Sequence, residues 1–121
     1  MARPAVARFE ITGTDSAALQ RFYGSLFDWE ITEGAKGSGF GVVHATDHGI
    51  TGVIGPDHGG GGGHVTFYVE VEDPAAYLAR AESLGGKTVV TPTEVSEFGL
   101  TFAFFADPEG HVIGLSKGVI R

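Results

Sequence analysis

Alternation of apolar and polar residues marks the start of two similar halves of the chain. Phe9 and Ile11 alternate with Arg8, Glu10 and Thr12, the pattern of a half-buried strand. Residues 64–71 alternate in the same way. Their apolar face holds Val65, Phe67, Val69 and Val71. Because successive side chains of a strand point to opposite sides, we expect both apolar faces to lie under helices and both polar faces to point away from them.

A helix signal follows each of these strands. Asp15 or Ser16 offers an N-cap for the first helix. Its apolar face has helical spacing and consists of Leu19, Phe22, Tyr23, Leu26 and Phe27. Asp73-Pro74 begins the second helix, because proline suits the first helical position. The apolar stripe of this second helix is Leu78, Ala81 and Leu84. Gly85-Gly86 is expected to end it.

Three short strands are predicted after each helix. In the first half they lie around Trp29 and Ile31, at 40–45 and at 50–54; in the second half they lie at 87–90, 100–105 and 112–116. The pattern predicts an α+β fold of two βαβββ modules. We expect a single domain over 1–121, with module one at about 6–55, a glycine linker at about 56–63 and module two at about 64–118. The modules should form a cupped mixed sheet with its helices on the convex face.

The composition is that of a globular domain and excludes several classes of function. Of 121 residues, 42% are hydrophobic and 19% are charged. The absence of cysteine excludes disulfides and thiolate chemistry. A net charge of −7 argues against nucleic acid as a partner, since phosphates would be repelled. The glycines at 59–63 lack the Lys-Ser or Lys-Thr of a phosphate loop and indicate a linker. No apolar run has the length of a membrane span or of a signal-peptide core, so we expect a cytoplasmic protein without membrane contact.

Two stretches of the sequence resemble the vicinal oxygen chelate superfamily, which contains glyoxalases, bleomycin-resistance proteins and dioxygenases. The first stretch combines Phe9-Glu10-Ile11, Asp15, Arg21-Phe22-Tyr23 and Leu26-Phe27-Asp28-Trp29-Glu30. The second combines Leu84-Gly85-Gly86-Lys87 with Phe105-Ala106-Asp107-Pro108-Glu109-Gly110-His111. The resemblance implies a cupped sheet that binds a small organic molecule on its concave face. It also implies a homodimer, since single-domain members commonly pair.

Metal-dependent members of this superfamily hold a divalent cation with side chains from the first and last strand of each module. Carried over by the resemblance, those positions fall on Arg8, Gly52, Thr66 and Gly114. Arginine is permanently cationic and glycine has no side chain, so neither can act as a ligand. A shift of register by two would bring in His64, but a catalytic metal needs about three protein ligands. We therefore predict no metal and no other cofactor.

Glu10 and His64 are the candidate catalytic residues. Both should face the concave side near the start of a module, where they could act as an acid–base pair on a bound carbonyl compound. In the alternative interpretation Glu10 pairs with Arg8 or Lys117, and His64 is a solvated residue after the glycine run.

Five further residues are candidates for lining a ligand pocket. Arg8 could hold an anionic group, although a salt bridge at the sheet rim explains it equally well. Thr66 and Tyr68 could offer hydroxyls, or could be ordinary strand residues. Phe102 and Phe104 share one strand face, which either floors an apolar pocket or fills the core, while Phe105 takes the other face.

Three functions remain open at this stage. The first is a glyoxalase- or bleomycin-resistance-like protein that binds a small organic molecule without the usual metal. The second is a lyase or isomerase that uses Glu10 and His64 as acid–base groups. The third is a metal-dependent glyoxalase- or dioxygenase-type enzyme whose ligands have been displaced. Converging polar groups would favour the second function over the first.

Overall fold

A computed structural model describes residues 3–57, 59, 61–97 and 99–118. The chain divides into two compact units. One is Arg8–Val65, and the other begins at Thr66 and includes residues 3–7. His58 and Phe98, which the sequence patterns place in a loop and in an aromatic cluster, lie outside the described residues.

The unit formed by Arg8–Val65 has a βαβββ order. Its elements are β1 (Val6–Gly13), α1 (Ser16–Phe27), β2 (Ile31–Glu33), β3 (Gly41–Val43) and β4 (Thr51–Pro56). The strands lie in the order β2-β3-β4-β1. β1 and β4 are parallel, whereas β3 is antiparallel to both of its neighbours.

The unit that begins at Thr66 repeats this arrangement. Its elements are β5 (Val65–Glu70), α2 (Pro74–Ser83), β6 (Lys87–Val95), β7 (Leu100–Ala106) and β8 (Val112–Lys117). The order is β5-β8-β7-β6, with β5 parallel to β8 and the other pairs antiparallel. The predicted α+β class, with two βαβββ modules of mixed sheet, is therefore confirmed.

Both helices begin at the predicted caps. The side chain of Asp15 accepts a hydrogen bond from the backbone of Ala18 at 3.0 Å, and that of Asp73 accepts one from Ala76 at 3.2 Å. Each cap satisfies an amide group that the first helical turn leaves without a backbone partner. After α2, Gly86 is required because a Cβ there would lie 2.7 Å from the carbonyl oxygen of Ala106.

A separate apolar core lies beside the helix of each unit. In the first unit, Ile11, Val43 and Ile54 are buried, and Phe9, Leu19, Tyr23, Trp29 and Ile31 pack against them. In the second, the buried residues are Val71, Leu78, Ala103 and Leu115, with Val69, Tyr77 and Phe105 packed against them. The predicted helix side is therefore confirmed for Phe9 and Ile11 in β1 and for Val69 in β5. Val71 follows the end of β5 and also lies in the core.

Two residues of the apolar face of β5 are not covered as predicted. Val65 is 76% exposed and Phe67 is 38% exposed. In the first unit the ring of Phe9 packs against Trp29, with a centroid separation of 5.6 Å. When the modules are aligned on their N-caps, Lys87 takes the place of Trp29. A lysine cannot cover Phe67 as an indole covers Phe9, so the outer half of this face stays exposed.

The glycine linker is held against the end of β1. The backbone amide of Thr12 donates a hydrogen bond to the carbonyl of His64 at 2.8 Å, and the amide of His64 donates one to the hydroxyl of Thr12 at 2.9 Å. Gly63 has φ +98°, and a Cβ there would collide with the carbonyl oxygen of Thr12. Gly63 therefore permits the close approach that positions His64.

The final hairpin is organised by one carboxylate. Asp107 accepts hydrogen bonds from the backbone amides of Glu109 and His111, each at 2.9 Å, and lies 3.0 Å from the His111 ring nitrogen. These contacts, above all the bond from the His111 amide, lower the pKa of Asp107 from its ordinary value of 3.8. Within the described part of the chain, neither helix is long and apolar enough to cross a membrane.

Replacing Gly63 with alanine should destabilise the fold. The substitution forces a Cβ into a left-handed backbone conformation and against the Thr12 carbonyl, at an expected cost of about 2 kcal/mol. Gly61→Ala is the control, because no atom lies within 4 Å of a Cβ at Gly61. Thermal unfolding should give a lower melting temperature for Gly63→Ala alone. Equal melting temperatures for the two variants would contradict this account of the linker.

Asp107→Asn should lower stability at neutral pH, but not in strong acid. Since the folded pKa lies below the ordinary value, the ionised carboxylate stabilises the hairpin above pH 3.8, and this contribution is lost as pH falls through the lowered folded pKa. Urea unfolding at pH 7 and at acid pH checks the sign, with Glu109→Gln as the control for charge. If the wild type exceeded Asp107→Asn in its free energy of unfolding by more at acid pH than at pH 7, the stabilising role of the ionised Asp107 would be contradicted.

Candidate functional site

Glu10 is a carboxylate buried in the middle of β1. It lies between Phe9 and Ile11, which face α1, so alternation turns Glu10 to the opposite side of the strand. Only 2% of its surface is exposed. A charge removed from water in this way is costly unless other groups compensate it, and the contacts of Glu10 are therefore informative.

His64 brings its imidazole directly to this carboxylate. The Nε2 atom of His64 lies 2.7 Å from Oε2 of Glu10. The His64 side chain is 25% exposed, against 3% for that of Glu10. The pair therefore has a buried acidic member and a solvent-accessible imidazole.

The backbone explains why these two side chains meet. Thr12 holds both the amide and the carbonyl of His64. Glu10 lies two residues before Thr12 on the same face of β1, so its carboxylate lies within reach of the ring. The sequence patterns did not single out Thr12. The sequence shows only that Thr12 places a hydroxyl on the polar face of β1, and this is common for strand residues without a special role.

The pair resembles half of a catalytic triad in its geometry. A carboxylate that accepts a hydrogen bond from one ring nitrogen fixes the tautomer and stabilises the imidazolium if the ring gains a proton. The other ring nitrogen can then exchange a proton with a nearby molecule. With His64 neutral, this arrangement requires the hydrogen on Nε2, a tautomer assigned from the contact with Glu10.

Arg8 lies on the same face of β1 as Glu10 and is 3% exposed. The described structure gives it at least one interaction with another group. Arg8 precedes Glu10 by two residues, so both lie on the polar face of β1, as the alternation predicted. Arg8 is buried, and both of its predicted roles, holding an anionic group or forming a salt bridge, stay predictions.

The remaining predicted pocket residues lie in the second unit. Thr66 is buried, and its hydroxyl donates to the carbonyl of Val112 at 2.6 Å. Tyr68 is 2% exposed and Phe104 is 1% exposed, with ring centroids 5.3 Å apart. Phe102 lies 5.9 Å from Phe104, while Phe105 packs on the helix side. Phe102 and Phe104 thus share a face as predicted, and within this unit the half-buried Phe102 extends a cluster whose other two rings, Tyr68 and Phe104, are buried.

The register of β1 and β4 corrects one position inferred from the resemblance. Gly52 pairs with Phe9, whose ring occupies the space where a side chain at Gly52 would lie. Gly52 therefore faces α1, and Val53, paired with Glu10, has the orientation expected of the last-strand position. The position carried over to Gly52 was therefore wrong by one residue, because the pairing of β4 with β1 turns Val53 to the side of Glu10.

In the second unit, Gly114 does face the same side as Tyr68, with which it pairs. The ring of Tyr68 lies over Gly114 in the space that a side chain would need. The last-strand positions thus hold Val53 and Gly114, neither of which offers a ligand atom from its side chain. Among the described residues, no group of three or more His, Asp or Glu side chains is arranged to hold a metal ion.

Comparison with known proteins identifies the family. Residues 8–116 match the family model described as a glyoxalase-like domain. Two curated relatives are the anthracycline biosynthesis proteins DnrV of Streptomyces peucetius and DauV of Streptomyces sp. strain C5. Each is 29% identical to this chain over 134 aligned positions that cover 97% of it. The chain spans about half the length of these relatives, 48% in each case.

Solved structures share the fold at low sequence identity. A methylmalonyl-CoA epimerase of Streptomyces coelicolor is 16% identical, with coverage of 98% of this chain and 100% of that one and a TM-score of 0.63. The Mycobacterium tuberculosis epimerase is also 16% identical, with coverage of 99% and 93% and a TM-score of 0.64.

A superfamily member from Vibrio splendidus is 15% identical, with coverage of 95% and 99% and a TM-score of 0.64. Since the family model covers nearly the whole chain, this protein belongs to the glyoxalase-like domain family.

Proposed function

We propose that this protein binds a small organic molecule beside the Glu10–His64 pair. The observation that carries the proposal is the 2.7 Å contact between a buried carboxylate and a quarter-exposed imidazole. The imidazole offers a polar group to a ligand, and the carboxylate behind it fixes its orientation. Small-molecule sites commonly combine a few placed polar groups of this kind with apolar surface.

The chemistry of the ligand is constrained by charge and by the relatives. The curated relatives are named for anthracycline biosynthesis, and the Streptomyces coelicolor epimerase structure is a complex with 2-nitronate-propionyl-CoA. A net charge of −7 disfavours a ligand with several phosphates, such as a CoA ester. We therefore favour an aromatic ligand of low negative charge, with a carbonyl or hydroxyl that His64 can reach.

A second candidate function is proton transfer on that ligand, as in an isomerase or lyase. It is favoured by the same contact, because an imidazole backed by a buried carboxylate is suited to general acid–base catalysis. In such a step His64 takes a proton from a carbon next to a carbonyl, the carbon–hydrogen bond breaks, and an enolate forms. Glu10 stabilises the imidazolium until the proton is returned to the substrate.

The residues at the family's metal positions do not fit a divalent cation. Arg8 is a cation, Val53 and Gly114 lack ligand atoms in their side chains, and the Thr66 hydroxyl donates to the Val112 carbonyl. Neither candidate function is therefore routed through a metal. Arg8, Thr66, Tyr68, Phe102 and Phe104 stay predictions as ligand-lining residues, as do the homodimer and the cytoplasmic location.

Glu10→Gln tests both functions in one experiment. A thermal-shift screen of anthracycline-type compounds and CoA thioesters should find a ligand that raises the melting temperature, since binding to the folded state stabilises it. If the protein only binds its ligand, Glu10→Gln should lower the affinity for that ligand by about tenfold or less, because the change removes roughly one hydrogen bond. If it catalyses proton transfer, turnover and solvent-deuterium exchange should fall by about 100-fold or more while binding persists.

Glu33→Gln is the matched control, because Glu33 is an exposed carboxylate of β2 in the same unit. Unchanged affinity and unchanged exchange in Glu10→Gln would locate the ligand elsewhere and contradict both functions.

Chelation should leave the protein unaffected. Since the residues at the metal positions offer no suitable ligand set, adding EDTA should not lower the melting temperature. A bound metal would add stability by mass action and its removal would be visible. Metal analysis of the purified protein provides a second measurement. A fall of several degrees that one divalent ion restores would show that the protein holds a metal through other groups.

A further inference from the structure

The second unit contains an apolar groove on its helix side, and none of the residues that line it belongs to the Glu10–His64 pair. The groove lies between α2 and its sheet and has a volume of about 380 Å³. Its apolar walls are Val69, Tyr77, Ala81, Leu84, Phe105 and Leu115. This volume lies within the range of small-molecule sites, and the two aromatic side chains are suited to stacking against a flat ring.

In the first unit, aromatic side chains occupy the side of the helix that corresponds to this groove. There, an aromatic cluster packs beside α1, with centroid separations of 6.5 Å for Tyr23–Phe27, 6.1 Å for Tyr23–Trp29 and 5.0 Å for Phe27–Trp29. Aligning the modules on Asp15 and Asp73 gives the residues at the corresponding positions. Ala81 corresponds to Tyr23, Gly85 to Phe27 and Lys87 to Trp29.

Three aromatic side chains of one module are therefore replaced by a methyl group, a hydrogen and a lysine in the other. The supporting elements are the same, since each module has one helix after its first strand and the same strand order. The groove occupies the side of the module that the aromatic cluster fills in the first unit. Replacing large residues by small ones beside a rigid framework leaves a concave surface that suits rings.

The rim of the groove adds a charge preference. Arg80 lines it and has an exposed side chain. Asp107 also lines it, but its carboxylate oxygens accept from the backbone amides of Glu109 and His111 and contact the His111 ring. The cationic guanidinium is therefore the charged group more available to a bound molecule, and it favours a ligand with one anionic edge.

We infer that this groove is a second binding site, for a planar aromatic molecule that carries one anionic group. The rings lie between Tyr77 and Phe105, where they take the place of the aromatic side chains of the first module, and the anionic group lies toward Arg80. The site is separate from the pair proposed above, so each can fail without the other.

The probe for this site is 1-anilinonaphthalene-8-sulfonate, a fluorescent aromatic anion. Wild-type protein should bind it saturably, with one molecule per chain in the groove. Ala81→Tyr restores the residue type of the first module and should weaken binding by about tenfold or more, without lowering the melting temperature. Ala79→Tyr is the matched control, because Ala79 is exposed on the same helix and does not line the groove. Arg80→Gln should lower the affinity for the probe, but not the affinity for an uncharged naphthalene analogue.

Leu84→Glu provides a second test if Ala81→Tyr does not fold. Leu84 is 71% exposed, so the change is compatible with folding, and it places a negative charge on the apolar wall, where it repels the anionic probe. Loss of probe binding in this variant supports the inference. Full probe binding in a folded Ala81→Tyr or Leu84→Glu variant overturns it, and so does the absence of saturable binding to the wild type. A mass by light scattering that falls from dimer to monomer in these variants would instead assign the groove to a second copy of the chain.

Discussion

A buried carboxylate constrains this site more than any other group. Glu10 is 2% exposed on a strand whose neighbouring residues, Phe9 and Ile11, belong to the apolar core. A charge in that position needs partners, and the imidazole of His64 lies 2.7 Å away. That contact requires the linker to return to the end of β1, which the two hydrogen bonds with Thr12 and the absence of a side chain at Gly63 make possible. A glycine run that resembles a plain tether in the sequence thus contributes to the geometry of the site.

Much of the fold was predictable because the strands and helices alternate in the way their burial requires. The period of two in β1 and the aspartate caps of both helices located the modules. The length of β6 was not predictable from the pattern, since Pro92 interrupts it and the strand continues past two irregularities of register. Proline is tolerated at such bulges and on edge strands. The predicted burial of Phe67 was wrong for a different reason, because alternation along β5 does not show that Lys87 stands where Trp29 covers Phe9 in the first module.

The strand faces at the candidate site were predictable from the sequence, but the register of the last strand was not. Alternation placed Glu10 and Arg8 on the face opposite the core, which required no knowledge of neighbouring strands. The last-strand position depends on how β4 pairs with β1, and a shift of one residue moves a side chain to the other face. The resemblance placed Gly52 at this position, but the ring of Phe9 lies over Gly52, and Val53 is the residue that faces the side of Glu10. Likeness in sequence is thus a weaker guide to strand faces than backbone pairing.

The two modules have kept one framework and diverged in what fills it. At the same place in the first strand, one module carries Glu10 and the other Tyr68; the carboxylate meets a histidine, and the tyrosine ring lies over Gly114 and beside Phe104. On the helix side, aromatic residues of the first module are replaced in the second. Ala81 and Gly85 stand at the positions of Tyr23 and Phe27. The second unit still carries Tyr77 and Phe105 on its helix side, but it lacks the three aromatic residues that cluster beside α1. The same framework with different fillings thus gives each module its own candidate site, the Glu10–His64 pair in the first and the groove beside α2 in the second.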